Sequence, residues 1–545
     1  MKKLLALILI GMMLVTFTAC SSSTEEAAVA EAQANDSTEA VEEAVTEEAE
    51  ADADSSASIV VDESGLMVIP EIEVVEETET RQGYDVVVVG AGGAGLTAAI
   101  SAAENGAKVV VLEQENIVGG NTSWSGAGMD IPENWVQAKQ GIKDSIELYT
   151  EDTVAGGDRT NLMELTHVLA ENALPMAEWL RDDVGVKFMD DFQKHFGGHT
   201  VARAIVVEGG IGSQLVMAEY LKAQELGVVF KMNTKATDLV TDETGRVTGV
   251  VAENKAGQSL TFNGEFGVIL ASGGFAGNPE IRVKYRPELD ESINTTNAPG
   301  HNGDGIVMAE ALGAGTTHME WIQTYPFCFP TTGKISFVAD TRMYGAPMVN
   351  IEGKRFINEN DRRDFVSAAI LSQSDRYGYM VWDQEILTEA RTLEIYGKEY
   401  DQLLADGVLV KADTLEEAAA FFGIDEAGLL QTIADYNGFA AAYEGGMDSK
   451  EADTEWNRNA KMAAIDKGPF YIEKVVPAAH HTMGGLLIDT ETRVKTADDV
   501  IIPGLYAAGE IVGGIHGNNR LGGNALTDIS VFGKIAGESI VADQK

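Results

Sequence analysis

A glycine-rich stretch near residue 90 has the spacing with the clearest chemical meaning. Residues 84–95 read YDVVVVGAGGAG, so Gly90, Gly92 and Gly95 follow an apolar run and open the helical pattern LTAAISAAENGA. The first glycine permits a tight turn, the second lets the backbone approach a pyrophosphate, and the third allows a helix to pack closely on a strand. A second apolar run, KVVVLE, ends in Glu113, where an acidic residue is placed to bind ribose hydroxyls. This context predicts dinucleotide binding rather than a glycine-rich turn without a ligand.

Further glycine-rich segments indicate which dinucleotide is bound. GGNT at 119–122 and SGAG at 125–128 follow closely, whereas ASGGF at 271–275 and GLYAAGE at 504–510 lie far downstream. These segments resemble FAD enzymes, in which a second glycine-rich strand end and a C-terminal strand return to the cofactor; NAD alone would not require them. We expect non-covalent FAD. The residues expected to bind it are Gly90, Gly92, Ala94, Gly95, Glu113, Gly120, Asn121, Thr122, Gly126, Ala127, Gly128, Ala271, Gly273, Asp304, Glu510, Asn524, Ala525 and Leu526.

Long motifs in the second half of the chain point to one protein family. They are GKRFINE at 353–359, DRRDFVSAA at 361–369, HHTMGG at 480–485 and HGNNRLGGN at 516–524. Together with the FAD motifs they resemble the soluble fumarate reductase and flavocytochrome c family of FAD-dependent enoate reductases. The resemblance extends from about residue 83 to about residue 543.

The resemblance implies a reaction and the residues that perform it. Hydride passes from N5 of reduced FAD to the β-carbon of a double bond conjugated to a carboxylate, so negative charge develops at the carboxylate. Cationic donors stabilise that charge, and by resemblance they are His480 and Arg520, with Arg342 also in the pocket; arginine offers a planar bidentate fork. The family protonates the α-carbon with an arginine, which matches Arg363. Because the reference pKa of arginine is above about 12, this acid must be reloaded through a relay.

The chain departs from fumarate reductases where those enzymes hold the second carboxylate of fumarate. Tyr325, in the stretch WIQTYPFCFP, replaces a histidine, and Val338 and Ala339 replace a threonine and a relay glutamate. Asp340 follows, and its charge would repel a second carboxylate in a site of low dielectric. The pair of Tyr325 and Asp340 resembles the urocanate reductases, in which Asp340 would accept the imidazole N–H and Tyr325 would hydrogen-bond to the ring or stack on it.

Several alternatives remain open at this point. The expected reaction is urocanate to imidazole propionate, with another aryl acrylate or fumarate as alternative substrates, and Asp340 could instead replace the relay glutamate. A dehydrogenase acting on steroid-like substrates would not need His480, Arg363 and Arg520, and a non-catalytic lipoprotein would leave them idle. His481 is expected to be a packing neighbour, and Arg362 a solvated or salt-bridged residue.

The elements that must position these residues predict an α/β fold. We expect a Rossmann-like FAD-binding domain in two parts, 83–320 and 480–545, with an α+β capping domain inserted at 321–479. Within it, we predict a helical stretch at 135–185, a β-rich segment at 226–271 with turns between its strands, and a helical section at 414–443.

The N-terminus predicts export. Residues 1–20 combine Lys2 and Lys3 with a short apolar run and end in FTAC, which resembles a lipobox with Cys20 as the lipidated residue; an ordinary signal peptide is the alternative. Residues 21–80 contain no Lys or Arg and are expected to form a disordered acidic tether. The formal net charge of −47 argues against nucleic acid as a partner. We expect a lipoprotein on the outer face of the cell membrane.

Electrons are expected to come from a separate protein. The sequence has two cysteines, Cys20 and Cys328, and no C-x-x-C-H motif for a c-type haem. It also has no serine- or threonine-centred segment typical of a covalent FMN site. A flavinylated FMN carrier or a membrane quinol system would supply the electrons, and the enoate would serve as a terminal electron acceptor. Cys328 is expected to be a buried thiol.

Overall fold

The computed structural model describes residues 60–61, 67–68, 81–458 and 460–545. Its strands are β1 (Val60–Val61), β2 (Met67–Val68), β3 (Arg81–Val89), β4 (Val109–Leu112), β5 (Gly128–Asp130), β6 (Phe188–Lys194), β7 (Ala204–Val207), β8 (Val229–Lys231), β9 (Thr234–Thr241), β10 (Val247–Asn254), β11 (Ser259–Leu270), β12 (Thr316–Thr317), β13 (Ile322–Cys328), β14 (Met348–Val349), β15 (Gly378–Asp383), β16 (Leu409–Ala412), β17 (Phe470–Thr482), β18 (Gly485–Leu486), β19 (Arg493–Lys495) and β20 (Ile501–Ala507).

Helices alternate with these strands along the chain. They are α1 (Gly93–Glu104), α2 (Gly120–Ser123), α3 (Trp135–Gln140), α4 (Ile146–Gly156), α5 (Met163–Trp179), α6 (Ser213–Glu225), α7 (Pro279–Tyr285), α8 (Asp304–Ala311), α9 (Arg363–Leu371), α10 (Gln384–Glu389), α11 (Thr392–Ala405), α12 (Leu415–Phe422), α13 (Glu426–Glu444), α14 (Ser449–Ala452) and α15 (Asn524–Ala542). A π-helical turn at Leu180–Val184 extends α5, and Val338–Tyr344 form a 3-10 helix.

A largely parallel sheet lies at the centre of the larger apolar cluster. Its strand order is β19-β20-β11-β3-β4-β8, with β10 beside β11 and β9 beside β10. The strands β20, β11, β3, β4 and β8 run parallel, and the valine runs of β3 and β4 are buried. Strands buried on both faces read as continuous apolar runs in sequence. The predicted α/β class is confirmed.

A second, antiparallel sheet is built around the long strand β17. Its order is β13-β17-β15-β14, and β16 also pairs with β17. It supports a separate apolar cluster that spans Tyr325 to Ala478, whereas the larger cluster contains residues from Val86 to Ile322 and from Leu486 to Val541. Strand β17 runs continuously through residues 479 and 480, and the domain boundaries placed there stay a prediction.

The aromatic and proline-rich stretch WIQTYPFCFP forms the edge strand β13. Its register against β17 shifts between Tyr325 and Cys328, so Pro326, which has no N–H to donate, lies at an irregularity of an edge strand, where proline is tolerated. Phe327, Cys328 and Phe329 are buried, as predicted. The predicted helical stretch at 135–185, the β-rich segment at 226–271 and the helical section at 414–443 all contain the expected elements.

The predicted signal peptide, Cys20 and most of the predicted tether lie outside the described residues. Within the tether, β1 and β2 pair antiparallel, with Val60 opposite Val68 and Val61 opposite Met67. This pair differs from the prediction of an unstructured segment, because valine and methionine at the end of the acidic stretch suit a strand. In the part of the chain that the structure describes, no helix has the length and apolar character to cross a membrane.

Candidate active site

The turn between β3 and α1 forms one end of a large cavity. Gly90 has a φ of 102°, in the left-handed region that favours glycine. A Cβ on Gly95 would lie 1.9 Å from the carbonyl oxygen of Gly90, so this glycine allows α1 to pack against the turn. A Cβ on Gly92 would meet no atom closer than 3.9 Å, and Gly92 lines the cavity. The spacing GxGxxG therefore serves the turn and the helix packing, and it leaves room beside Gly92 for the predicted ligand.

Glu113 lies at the carboxyl end of β4, beside the first turn. Its carboxylate accepts the Ala91 N–H at 2.8 Å and the Glu115 N–H at 2.9 Å. Burial raises the pKa of Glu113, and these hydrogen bonds oppose that shift. The carboxylate lines the cavity together with Gly92 and Gly120. A glycine cradle with an acidic residue at its edge fits the adenosine half of a dinucleotide.

The other predicted cofactor residues continue along the same cavity. Segments 120–122, 124–128 and 271–273 line it, and so do Asp304 and Glu510. Helix α15 begins at Asn524, and its first-turn residues Ala525 and Leu526 face the cavity, where the N–H groups of a helix start favour electron-rich ligands. Gly95 and Asn524 do not line the cavity: the side chain of Asn524 bonds instead to Tyr149 Oη and Thr153 Oγ1.

The opposite end of the cavity collects all the residues predicted to act on a substrate. They come from five elements of the fold and are Tyr325, Asp340, Arg342, Arg363, His480 and Arg520. Tyr325 and Arg520 are far apart in the sequence. Tyr325 reaches the cavity from β13, which pairs with β17, and Arg520 reaches it from the loop before α15. One continuous cavity therefore has a dinucleotide-type end and a cationic end, which fits FAD with a substrate beside its flavin.

A β-bulge in β17 aims His480 into the cavity. Thr324 pairs with Ala479 and Gln323 pairs with His481, so His480 is the extra residue opposite strand β13. Successive side chains of a regular strand point to opposite faces, and a bulge breaks that alternation. Because of the bulge, the consecutive residues His480 and His481 both line the cavity.

The hydrogen bonds of His480 assign its tautomer. Nη2 of Arg520 lies 3.1 Å from Nε2 of His480, and the Thr296 hydroxyl lies 2.7 Å from Nδ1. Because arginine only donates, Nε2 accepts from Arg520 and Nδ1–H donates to Thr296. Burial and the neighbouring Arg520 and Arg363 hold the pKa of His480 well below its usual value. The structure therefore favours a neutral imidazole, in contrast to the cationic donor that the sequence predicted.

Arg520 is a buried cation without a carboxylate partner among the described residues. Its Nη1 donates to the Leu521 carbonyl at 3.0 Å, and its Nη2 contacts Gln323 Oε1 at 3.3 Å as well as His480. Its Nε has no hydrogen-bond partner in the described part of the chain. Burial and the charge of Arg363 lower the pKa of Arg520 to about 9. A buried cation in this situation is compensated by an anionic ligand.

Arg363, the predicted acid, begins helix α9 and faces the same space. Its guanidinium carbon lies 4.8 Å from the centroid of the Tyr325 ring, and no hydrogen bond or ion pair of this side chain occurs within the described residues. Burial is the main cause that lowers the pKa of Arg363, and Arg342 lowers it further. A desolvated guanidinium beside other cations is easier to deprotonate than a solvated one, as a proton donor requires.

Asp340 and Tyr325 line the cavity together with Arg363. Asp340 Oδ1 accepts from Arg342 Nη2 at 3.1 Å, so this carboxylate is already paired with a cation. The Tyr325 ring lies 5.3 Å from the His480 ring, and burial raises the pKa of its phenol. The pairing with Arg342 weakens the repulsion of a second carboxylate that the sequence alone predicted for Asp340.

His481 and Arg362 each lie close to a carboxylate, unlike their neighbours His480 and Arg363. His481 Nδ1 lies 3.3 Å from Glu510 Oε2, and Glu510 also accepts the Thr482 N–H at 3.0 Å. Burial opposes ionisation of Glu510, but His481, His301 and the Thr482 N–H outweigh it and lower the pKa of Glu510 to about 2. Arg362 pairs with Asp158 and Asp364, as expected of a salt-bridged residue.

Several cavity or supporting residues were not predicted from the sequence, and Lys194, Phe337, Thr296 and Gln323 are four of them. Lys194 and Phe337 line the cavity, and burial lowers the pKa of Lys194, whose ammonium donates to the Gly126 carbonyl at 3.3 Å. Thr296 holds His480, and Gln323 holds Arg520 while donating to Asn519 Oδ1 at 2.7 Å. None of the four lies in a recognisable motif. The position of Gln323 within the stretch WIQTYPFCFP was the one available signal.

Comparison with known proteins places this architecture in a family. The family model described as an FAD binding domain matches residues 85–526. The urocanate reductase of Eggerthella lenta is 43% identical over 461 residues, which cover 84% of this chain and 74% of that protein. A cytochrome-containing fumarate reductase of Shewanella frigidimarina is 38% identical, covering 83% of this chain and 76% of that protein.

The solved structures agree with the sequence relatives. The open conformation of a flavocytochrome c3 fumarate reductase matches with a TM-score of 0.73 and 34% identity, covering 85% of this chain and 79% of that one. Sequence identity, a family match over most of the chain and a shared fold all agree. The chain therefore belongs to the family of FAD-dependent reductases that act on the C=C bond of unsaturated carboxylates, which includes the urocanate and fumarate reductases.

Proposed function

We propose that this protein reduces urocanate to imidazole propionate. The observation that carries the proposal is the placement of Tyr325 and Asp340 in the same cavity as the unpaired Arg520 and Arg363. A cationic end suits the acrylate carboxylate, and an aromatic and acidic end suits an imidazole ring with an N–H to donate. The relative with 43% identity, a urocanate reductase, supports the same substrate.

Arg520 would hold the substrate carboxylate, and His480 would help to orient the Arg520 guanidinium. The unpartnered Nε of Arg520 offers a donor, and Gln323 and Leu521 orient the guanidinium from behind. The neutral His480 keeps its Nδ1–H on Thr296, so its ring is fixed while the carboxylate competes for Arg520. The N–H groups of Arg520 would then donate to the oxygens on which negative charge develops, which stabilises the transition state.

Bound FAD supplies the hydride that reaches the β-carbon of the double bond. Arg363 would donate the proton to the α-carbon, because it is desolvated and free of carboxylate partners in the described part of the chain. Loss of that proton is eased by Arg342 and by burial, which lower its pKa. Ala339 offers no carboxylate for reloading, so Asp340, which contacts Arg342 at 3.1 Å, is the candidate relay for the returning proton.

The far end of the substrate is the end opposite its acrylate carboxylate. There, one oxygen of the Asp340 carboxylate is available to accept a hydrogen bond. Its Oδ1 is taken by Arg342, and its Oδ2 has no hydrogen bond within the described residues. Oδ2 would accept the imidazole N–H, and Tyr325 would hydrogen-bond to the heterocycle through its hydroxyl while its ring packs against it. This assignment allows Asp340 to bind the ring and to contact Arg342 at the same time.

Fumarate is the second candidate substrate. Arg342 pairs with Asp340, and the ammonium of Lys194 lies in the same part of the cavity, so two cations face the far end of a substrate. The second carboxylate of a dicarboxylate would pair with these two cations. The fumarate reductase that is 38% identical supports this alternative.

We further propose that the chain is an exported lipoprotein, anchored through Cys20 on the outer face of the cell membrane. Its electrons would come from a separate donor, a flavinylated FMN protein or a quinol system. The FTAC sequence and the acidic stretch after it support this placement. The enzyme would then use its enoate as a terminal electron acceptor.

An anaerobic assay with reduced viologen tests the substrate. FAD-loaded protein is supplied with urocanate, fumarate and cinnamate-type acids, and kcat/KM is compared. We expect urocanate to be preferred over the others. A preference for fumarate would refute the urocanate proposal and favour the second candidate.

Variants of the far end test the residue assignment. Tyr325→Phe and Asp340→Ala are expected to lower kcat/KM for urocanate about tenfold or more, because a hydrogen bond to a charged group contributes about 1.5–3 kcal/mol. Asp498→Ala, which changes an exposed carboxylate, is the matched control. Wild-type urocanate kinetics in both far-end variants would refute the assignment.

A further inference from the structure

The 3-10 helix that carries Asp340 and Arg342 is held at its start by a carboxylate from another helix. Glu399 of α11 accepts through Oε1 the Phe337 N–H at 2.8 Å and the Val338 N–H at 2.9 Å. The hydroxyl of Ser336, a fully buried residue, lies 3.3 Å from the same oxygen. One carboxylate oxygen therefore collects three donors from successive residues.

These hydrogen bonds give acceptors to backbone N–H groups that have no acceptor within the helix. The first N–H groups of a helix have no partner inside it, and a negative charge is favoured at that end. At the other end, the guanidinium of Arg458 donates to the carbonyl of Arg342. The segment is thus held by the Glu399 carboxyl group at its start and by the Arg458 guanidinium at its end.

Four residues of the held segment line the cavity, namely Phe337, Asp340, Arg342 and Met343. Phe337 and Asp340 both line it, and the Asp340 N–H donates to the Phe337 carbonyl at 3.1 Å. The Phe337 ring stacks on Tyr396, also of α11, with centroids 5.4 Å apart and planes 13° apart. Helix α11 therefore sets the position of Phe337 through both its backbone and its ring, and the position of Asp340 follows. Glu399 is not among the residues that line the cavity.

We propose that Glu399 is a positioning residue that sets substrate selectivity by holding Phe337 and Asp340 against the far end of the substrate. It acts through the backbone of residues 336–338 and does not contact the substrate. The inference rests on the proposed function in one respect, namely that the end of the substrate opposite Arg520 meets Asp340. It does not depend on whether that end is an imidazole or another group.

The test compares a substrate that carries a further group at the end opposite its carboxylate with a substrate that lacks such a group. Full-length FAD-loaded protein is assayed anaerobically with the enoate that the wild type prefers and with acrylate, which consists of a double bond and a carboxylate. Glu399→Ala is expected to raise KM for the preferred enoate at least tenfold, with KM for acrylate within twofold of wild type and kcat for both within threefold. If acrylate is not reduced, its inhibition constant against the preferred enoate replaces its KM.

A conservative variant and a matched control complete the design. Glu399→Gln keeps an acceptor oxygen and is expected to remain within threefold of wild type, and Asp401→Asn, an exposed residue of the same helix, is expected to have no effect. An equal loss on both substrates, or no loss on either, would overturn the proposal.

A milder variant guards against misfolding of Glu399→Ala. Ser336→Ala removes one of the three donors and is expected to raise KM for the preferred enoate about threefold without changing acrylate. If Glu399→Ala loses FAD and Ser336→Ala leaves KM unchanged, the proposal is also overturned. Failure of urocanate as a substrate is detected separately, because the Glu399 comparison uses whichever enoate the wild type prefers.

Discussion

At the scale of single residues, the candidate active site contains two cations, Arg363 and Arg520, that have no carboxylate partner within the described residues. Arg520 bonds to a carbonyl, an amide and an imidazole, and Arg363 lies over the face of Tyr325. Burying an uncompensated charge costs free energy, so such residues are expected where a ligand supplies the opposite charge. Arg362, directly beside Arg363, shows the contrasting case, since it is paired with Asp158 and Asp364.

Arg363→Ala is expected to lower kcat by at least about a hundredfold while FAD remains bound, because a positioned acid contributes about 10²–10⁴ in rate. Steady-state turnover with reduced viologen and the flavin absorbance of the purified protein measure the two quantities. Arg362→Ala is the neighbouring control and is expected to keep kcat within threefold. An active Arg363→Ala protein would mean that another residue supplies the proton.

At the scale of elements, a strand irregularity and a helix pair shape the site. The bulge in β17 turns His480 and His481 toward one cavity. The glycine turn after β3 is supported from behind by α1, which packs on α15 and on α6. Between α1 and α6, the fully buried Glu219 accepts the Thr97 hydroxyl at 2.7 Å, and its second oxygen has no partner within the described residues. Burial raises the pKa of Glu219 to about 8.

Glu219→Gln is expected to stabilise the folded protein increasingly as the pH rises. The carboxyl ionises near pH 4.5 in the unfolded chain and near pH 8 in the folded one, so the folded state binds the proton more tightly. The wild type therefore loses stability between these values, at about 1.4 kcal/mol per pH unit, and the glutamine variant does not.

Thermal unfolding in excess FAD at pH 5.5, 6.5 and 7.5 measures the stability difference between the Glu219→Gln variant and the wild type. Glu225→Gln, an exposed carboxylate near the end of the same helix, should show no such trend. A difference that stays constant with pH would contradict the assignment of Glu219.

At the scale of the whole molecule, the cavity draws on both apolar clusters. Its cofactor end is built from β3, β4 and the segments beside them, and its substrate end takes Tyr325 and the 3-10 helix from the second cluster. Among the described residues, every one that lines the cavity lies at or after Val89. The reaction should therefore be independent of the N-terminal residues that the proposed export requires.

Deletion of residues 2–80 is expected to leave kcat and KM within twofold of the full chain. Cys20→Ala is expected to keep the same kinetics and to move the protein from the membrane fraction to the soluble fraction of a bacterial host. Fractionation followed by the viologen assay measures both. Membrane association that survives Cys20→Ala would refute the lipid anchor.

The sequence by itself determined the features that are local to the chain. Gly90, Gly92 and Gly95 follow a buried valine strand at a spacing that only a turn, a close backbone approach and helix packing explain, so the FAD-type fold could be predicted. The motifs around Arg363, His480 and Arg520 named the residues of the site, because their types and neighbours are readable without coordinates.

Tertiary structure alone decided how those residues are paired and charged. The neutral state of His480 depends on burial and on Arg520, which lies forty positions away (520−480) and is brought near by the fold. The pairing of Asp340 with Arg342 and the support of their segment by Glu399 likewise depend on contacts with no sequence signal. The physical reason is that spacing determines local backbone geometry, whereas hydrogen-bond partners and desolvation are set by which distant segments pack together.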